Sequence, residues 1–135
     1  MLTNTSNKPE CMRGSRKSSV ASCFLGKKEI IVNNKSLKEY FKQQHLIDIA
    51  LTPIGIIKTQ NQNFEFFPKI SLKGGGIHAQ AEACRYAVAR FLAKLYPEYK
   101  EILKGYEWFQ NDTRSVQTKT PGRPKARRGS QSNKR

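Results

Sequence analysis

The chain has 135 residues, about the length of one domain, and its 25 Lys and Arg outnumber 10 Asp and Glu for a net charge of +15. That excess is the electrostatic footprint of a protein bound to a polyanion. No apolar run approaches the roughly 20 residues that cross a bilayer, and "MLTNTSNKPECMRGSRKSS" offers neither the hydrophobic stretch of a secretory signal nor the arginines of a transit peptide, so no membrane association is expected.

In chain order, residues 1–12 are polar and are expected to be a flexible N-terminus. Val20 to Leu25 and then "EIIVNN" are two β-rich runs flanking Gly26, which reads as a hairpin. In "SLKEYF" the Ser36 hydroxyl and the Glu39 carboxylate have the spacing of a capping box, so a short helix is expected there. "HLIDIAL" reads as a second short helix ended before Pro53, because the residue preceding proline disfavours the α region.

"FEFFPKISLK" alternates, with Phe64, Phe66, Ile70 and Leu72 on one parity and Glu65, Lys69, Ser71 and Lys73 on the other. It predicts a half-buried strand, with Pro68 implying an edge position or a bulge. In "IHAQAEACRYAVARFLAKLY" the residues Ile77, Ala81, Cys84, Val88, Phe91, Leu92 and Leu95 gather on one helical face. Pro97 opens a further short helix and Gly105 stops it. These elements predict an α+β domain over residues 13–112, a sheet with helices on one face.

Beyond Asp112, the last carboxylate, the tail of residues 113–135 carries eight unopposed cations: Arg114, Lys119, Arg123, Lys125, Arg127, Arg128, Lys134 and Arg135. It holds too little apolar surface to offset an ordering cost of about 1 to 2 kcal/mol per backbone residue. A like-charged run with Pro121, Gly122, Pro124 and Gly129 is expected to be an extended interaction arm. Fully stretched, Pro121 to Arg135 would span about 50 Å at roughly 3.3 to 3.6 Å per residue.

Two motifs in the domain suggest phosphate. "KGGGIHAQA" places Lys73, Gly74, Gly75 and Gly76 between a strand and a helix start, where a backbone can approach an anion closely. It reads as a nucleic-acid backbone contact or as a plain flexible turn. A nucleotide-hydrolysing loop is disfavoured, because GxxxxGK[ST] and paired carboxylates for magnesium are absent. "RGSRKSS" sets Arg13, Arg16 and Lys17 beside hydroxyls, the groups that neutralise and hydrogen-bond phosphate oxygens, although a solvated basic stretch has the same composition.

Cys11, Cys23 and Cys84 are too widely spaced to build a zinc site with His45 and His78, so no metal or other cofactor is expected. Cys84 lies on the apolar stripe as a core residue without a placed base, and His78 reads as a surface or RNA-facing side chain.

The order of these motifs is similar to one family. "GSRKSSVA", "IIVNNKSLKEYF", "GGGIHAQAEACRYAVARFL" and "KARRGSQSNKR" resemble the universal small-subunit ribosomal protein S-nine family, bacterial and organellar type, from Arg13 to Arg135. Ser22 and Phe24 stand where that family usually has arginines, Ala79 replaces a glycine, and Ser132 and Asn133 replace a phenylalanine and a serine. The resemblance implies a ribosomal S-five second-domain-like fold with an extended basic C-terminal tail, and a non-catalytic place in the head of the small subunit.

It further implies that Arg13, Arg16, Lys17, Lys73, Gly74, Gly75, Gly76, Arg85, Arg114, Lys119, Arg123, Lys125, Arg127 and Arg128 bind small-subunit rRNA. Lys134 and Arg135 would contact P-site tRNA at the decoding region, with neighbouring head proteins as further partners and no homo-oligomer. The abundance of Lys, Asn and Ile favours an organelle, a plastid first and a mitochondrion second, with a bacterial cytoplasm as the other setting. The competing functions are a free RNA chaperone or nucleic-acid-compacting protein, and a small-molecule kinase, for which the chain is short and lacks the carboxylates.

Overall fold

The computed structural model describes residues 11–134; residues 1–10 of the expected flexible segment, and Arg135, lie outside the described residues. Five strands make one sheet: β1 (Met12–Arg16), β2 (Ser19–Leu25), β3 (Ile31–Val32), β4 (Lys35–Ser36) and β5 (Pro68–Lys73), in the order β1-β2-β5-β3-β4. Among these strand pairs only β3–β5 is parallel. The helices are α1 (Leu37–Phe41), α2 (Gln44–Gln60), α3 (Ile77–Leu95) and α4 (Lys100–Lys104), the last preceded by a 3-10 turn at Pro97–Tyr99.

The sheet order overturns the hairpin expected at Gly26. β2 and β3 are not partners, because β5 lies between them and pairs with both. The tight reversals lie elsewhere. One is at Lys17–Ser18, joining β1 to β2, and the other at Asn33–Asn34, joining β3 to β4. Lys17, Asn33 and Asn34 carry the positive φ that such two-residue turns require. Asn33 also extends β3 beyond its last backbone pair: its side-chain amide donates to Leu72 O at 3.0 Å and its oxygen accepts from Leu72 N at 2.8 Å.

α2 runs through Pro53 rather than ending before it. The missing proline amide would have bonded Ile49 O, and the Thr52 hydroxyl fills that vacancy, donating to Ile49 O at 3.1 Å and to Asp48 O at 2.7 Å. Leu46, Ile47, Ala50, Ile54 and Ile57 are buried along one face, so packing outweighs the local penalty. Pro68 is likewise not on an edge, since β5 is the central strand; it is tolerated as that strand's first residue, where its nitrogen begins the ladder. The Ser36 hydroxyl caps α1, accepting from Glu39 N at 3.3 Å.

α3 packs on β1, β2 and β5, and α2 packs on α3. The inward residues Gly14, Ser19, Ala21, Cys23, Ile70 and Leu72 alternate with outward Arg13, Val20, Ser22, Phe24, Lys69, Ser71 and Lys73, so one sheet face is covered and the other is open. The core adds Phe41, Ile57, Val88, Phe91, Leu92 and Leu103, and Phe64, Phe66, Tyr96 and Tyr99 close one end in edge-on and stacked ring contacts. Ile77, expected on the buried stripe, is 55% exposed at the first turn of α3, ahead of the point where the helix meets the sheet.

α3 lies unusually close to β1 because Gly14 faces Ala83 and Ala87. A Cβ at Gly14 would collide with Ala87 N and approach Ala83 O to 2.6 Å, both of them backbone atoms that cannot step aside. Gly14→Ala is therefore expected to lower stability by at least the roughly 1 to 3 kcal/mol of an overpacked core, measured by urea unfolding, whereas Gly129→Ala, in open space, should be near neutral.

Candidate nucleic-acid interface

The open face of the sheet brings the two phosphate-directed motifs together. Arg13 pairs across to Ser22 and Ser22 to Ser71, while Val20 pairs with Lys73 and Phe24 with Lys69. All of these but Lys69, which lines a neighbouring hollow with Glu29, join Ser18 and Gly74 in a shallow groove holding cations, hydroxyls and two apolar side chains but no carboxylate. Such a surface neutralises and hydrogen-bonds phosphates while presenting an aromatic ring, Phe24, for stacking. Sequence reading named Arg13, Lys73 and Gly74 here but not Ser18, Ser22, Ser71, Val20 or Phe24 as a unit. Their period-two alternation was visible; the β2–β5 adjacency that joins them was not.

The glycine loop borders this groove and is packed against the β1–β2 turn. Gly74 and Gly75 have φ of 73° and 66°, and added Cβ atoms would strike Ser18 O and Ser19 Oγ respectively. Gly74 O accepts from the Ser19 hydroxyl at 2.9 Å and from the Gln80 side-chain amide at 3.0 Å. Gln80 in turn accepts from Tyr40 OH at 2.7 Å, so "EYF" and "GGGIHAQA" hold each other in place. Gly76 precedes the first turn of α3 with open space around it and no side-chain cap. Lys17 is exposed at the tip of the turn, and His78 is exposed in the first turn of α3.

Other predicted residues face elsewhere. Arg16 is turned inward, its side chain only 14% exposed: Nε donates to Glu82 Oε2 at 2.8 Å, and Nη1 lies 3.3 Å from Asp112 Oδ2 and donates to Arg114 O at 3.2 Å. Arg114 grips Asp112 from the other side with Nε and Nη2 at 3.0 and 2.7 Å, yet its side chain remains 83% exposed. Arg90, absent from the predicted set, donates to Arg13 O, Phe109 O and Asn111 Oδ1 and so binds β1 to the segment after α4. Arg85 lies against the rings of Tyr86 and Trp108, at 5.5 and 5.6 Å from their centroids.

Lys119, Arg123, Lys125, Arg127, Arg128 and Lys134 are all exposed in a tail without regular structure. Arg127 Nε donates to Gln117 at 3.1 Å, so the tail doubles back between them, and Gly122 takes a φ of 81° in that turn. The tail expected to be extended is thus turned on itself as the chain stands alone.

Among the described residues no cluster of three His, Cys, Asp or Glu could hold a metal, and no helix is long and apolar enough to cross a membrane. Cys84 is fully buried and its thiol is pushed up to about 12 by that burial; Cys23 is raised as well, by burial first and by Cys84 second. Both are packing residues, inert as nucleophiles at neutral pH.

Residues 14–135 match the family described as ribosomal protein S9/S16. Small ribosomal subunit protein uS9 of Parabacteroides distasonis is 39% identical over 124 residues, covering 90% of this chain and 94% of that protein. That of Borrelia recurrentis is 40% identical, with 90% and 89% covered, and that of Porphyromonas gingivalis 37%, with 90% and 94%. The chain belongs to the ribosomal protein S9/S16 family. These relatives are bacterial and lend no preference to a plastid or a mitochondrion.

Asp112 is the residue that fastens the start of the tail to the domain. Its carboxyl is held well below the usual carboxylate range, by hydrogen bonds from the Arg114 side chain and backbone first, and by the charges of Arg114 and Arg16 after them. A lowered folded pKa gives stability that is present above the unfolded value of about 4 and is lost as pH falls toward the folded one. Thermal denaturation against pH should show Asp112→Asn less stable than wild type at pH 7, with the two curves converging below about pH 4; parallel curves would show that the ion pairs contribute nothing.

Proposed function

We propose that this protein is a non-catalytic structural constituent of the small ribosomal subunit that binds small-subunit rRNA. The observation that carries the reading is the sorting of its cations. Arg16 and Arg90 are consumed inside the domain, whereas Arg13 and Lys73 stand outward in an acid-free groove, Lys17 stands outward at the adjoining turn, and Lys119 to Lys134 stand outward along the tail. The family match spans both regions.

In this reading the domain is an S-five second-domain-like module in the subunit head, beside neighbouring head proteins. Its groove and the Lys73–Gly76 loop take rRNA phosphates, as do Arg114, Lys119, Arg123, Lys125, Arg127 and Arg128, with Arg16 as an internal clamp. rRNA opens the doubled-back tail into an extended arm, and Lys134 and Arg135 reach P-site tRNA. A plastid setting rests on composition alone, to which the bacterial relatives add nothing.

Three measurements test this. In sucrose gradients of native lysate the chain should migrate with the small subunit at moderate and high salt alike; recovery at the top of both gradients would favour a free RNA chaperone. With six to eight phosphates neutralised, log affinity for isolated rRNA fragments should fall against log salt with a slope of about −4 to −6, at roughly −0.7 per contact. Deleting Lys134 and Arg135 should leave subunit assembly intact and weaken tRNA retention in the P site, and unchanged retention would remove the tail-tip role.

A further inference from the structure

A second cleft lies away from the open sheet face, where α3 meets the segment that follows α4. It has a volume of about 360 Å³ and is lined by Arg85, Tyr106, Trp108, Gln110, Asn111 and Thr113, among others. Its rings are layered: Tyr106 stacks on Trp108 with centroids 4.7 Å apart and planes 16° apart, and the Arg85 guanidinium rests against the same indole. Trp108 is buried beneath these two, but Tyr106 is 50% exposed, so the outermost ring of the layer remains available to a further planar group.

Arg85 is also the exception among the arginines around this cleft. Arg16, Arg90 and Arg114 each have carboxylate or carbonyl partners. Among the described residues Arg85 Nε is buried without a hydrogen-bond partner, and the guanidinium lies against the rings of Tyr86 and Trp108. A guanidinium fixed in orientation with no anion of its own is poised to meet a planar, acceptor-rich ligand. Glu107 and Asp112 also line the cleft, and Asp112 is neutralised by Arg114 and Arg16, so the local charge is nearly balanced. That balance disfavours a bare phosphate and suits a nucleobase, with Gln110, Asn111 and Thr113 as hydrogen-bonding groups for its edge.

We propose that this cleft is a stacking site for one unpaired nucleobase of single-stranded RNA, with Tyr106 as the platform. The site rests on the reading of the protein as an RNA binder; it is separate from the sheet groove and adjoins the start of the tail at Thr113 and Arg114.

Trp108 is the single tryptophan of the chain, so its fluorescence reports this cleft. Full-length protein is titrated with hexaadenylate RNA, and with adenosine monophosphate, inorganic phosphate and an RNA duplex as comparison probes, while a gel-mobility assay records RNA binding independently. Hexaadenylate is expected to perturb Trp108 strongly, the duplex weakly and inorganic phosphate not at all. Tyr106→Ala and Tyr106→Leu should each weaken the affinity read from Trp108 about tenfold or more, and Tyr106→Phe should keep it. Leucine still covers Trp108 but lacks a π face, so this pattern separates stacking from loss of structure.

Hexaadenylate that shifts in the gel without perturbing Trp108, or a Tyr106→Leu protein with wild-type affinity, overturns the stacking site and leaves the RNA-binding reading standing. Perturbation by adenosine monophosphate as strong as by hexaadenylate at equal base concentration overturns it in favour of a free-nucleotide site. No mobility shift with any RNA overturns both.

Discussion

The close approach of α3 to β1 is the constraint on which the rest of the molecule depends. Gly14 leaves no side chain between the strand and the backbone of Ala83 and Ala87, so the helix lies directly on the sheet. From that seat α3 sets the positions of Glu82, Arg85, Arg90 and Gln80, which reach respectively to Arg16, the aromatic pair, the chain after α4 and the glycine loop. A larger residue at position 14 would lift all four together. The tight packing of a small-residue contact thus acts as the datum from which the polar contacts on both sides of the helix are measured.

Covering one face of the sheet with a helix obliges the other to be polar or to find a partner, and here it is polar in one sign. The outward residues of β1, β2 and β5 are cations, serines and two apolar side chains. Meanwhile the carboxylates that could have neutralised them, Glu82 and Asp112, face the opposite way and hold Arg16 and Arg114. The separation matters because paired arginines add little to the long-range field, whereas unpaired ones on a shared face sum. The net charge of +15 is therefore expressed on selected surfaces rather than spread evenly.

Much of this was legible in the sequence where the signal was local. The apolar stripe of α3, the Ser36 cap and the alternation from Phe64 to Leu72 each depend on neighbours within a few residues and read correctly, except that Ile77 is exposed and residues 64–67 alternate in burial ahead of a strand that begins at Pro68. What was lost depends on distant partners. The hairpin at Gly26 failed because two adjacent β-rich runs cannot announce that β5, some forty residues later, will pass between them. The stop before Pro53 failed because Thr52 supplies a replacement donor and the apolar face continues to Ile57. Arg16 carried the same local signal as Arg13. The two part company only because their side chains leave β1 on opposite faces, one toward Glu82 and one toward the groove.

Asp112 marks a change in the chain by charge rather than by secondary structure. It is the last carboxylate, it forms a parallel bridge with Arg16, and it takes Arg114, the first cation of the tail, into a bidentate pair. No side-chain carboxylate lies among the later cations in the sequence. In the isolated molecule the tail falls back on the weak contact it has, from Arg127 to Gln117. A single exposed hydrogen bond from a guanidinium to a neutral amide contributes about 1 to 3 kcal/mol, while holding the intervening residues in the turn costs conformational entropy of similar size, so the doubled-back arrangement is only weakly favoured. The excess of cations is thus shared between the two parts, 17 against 10 acids up to Asp112 and eight against none beyond it.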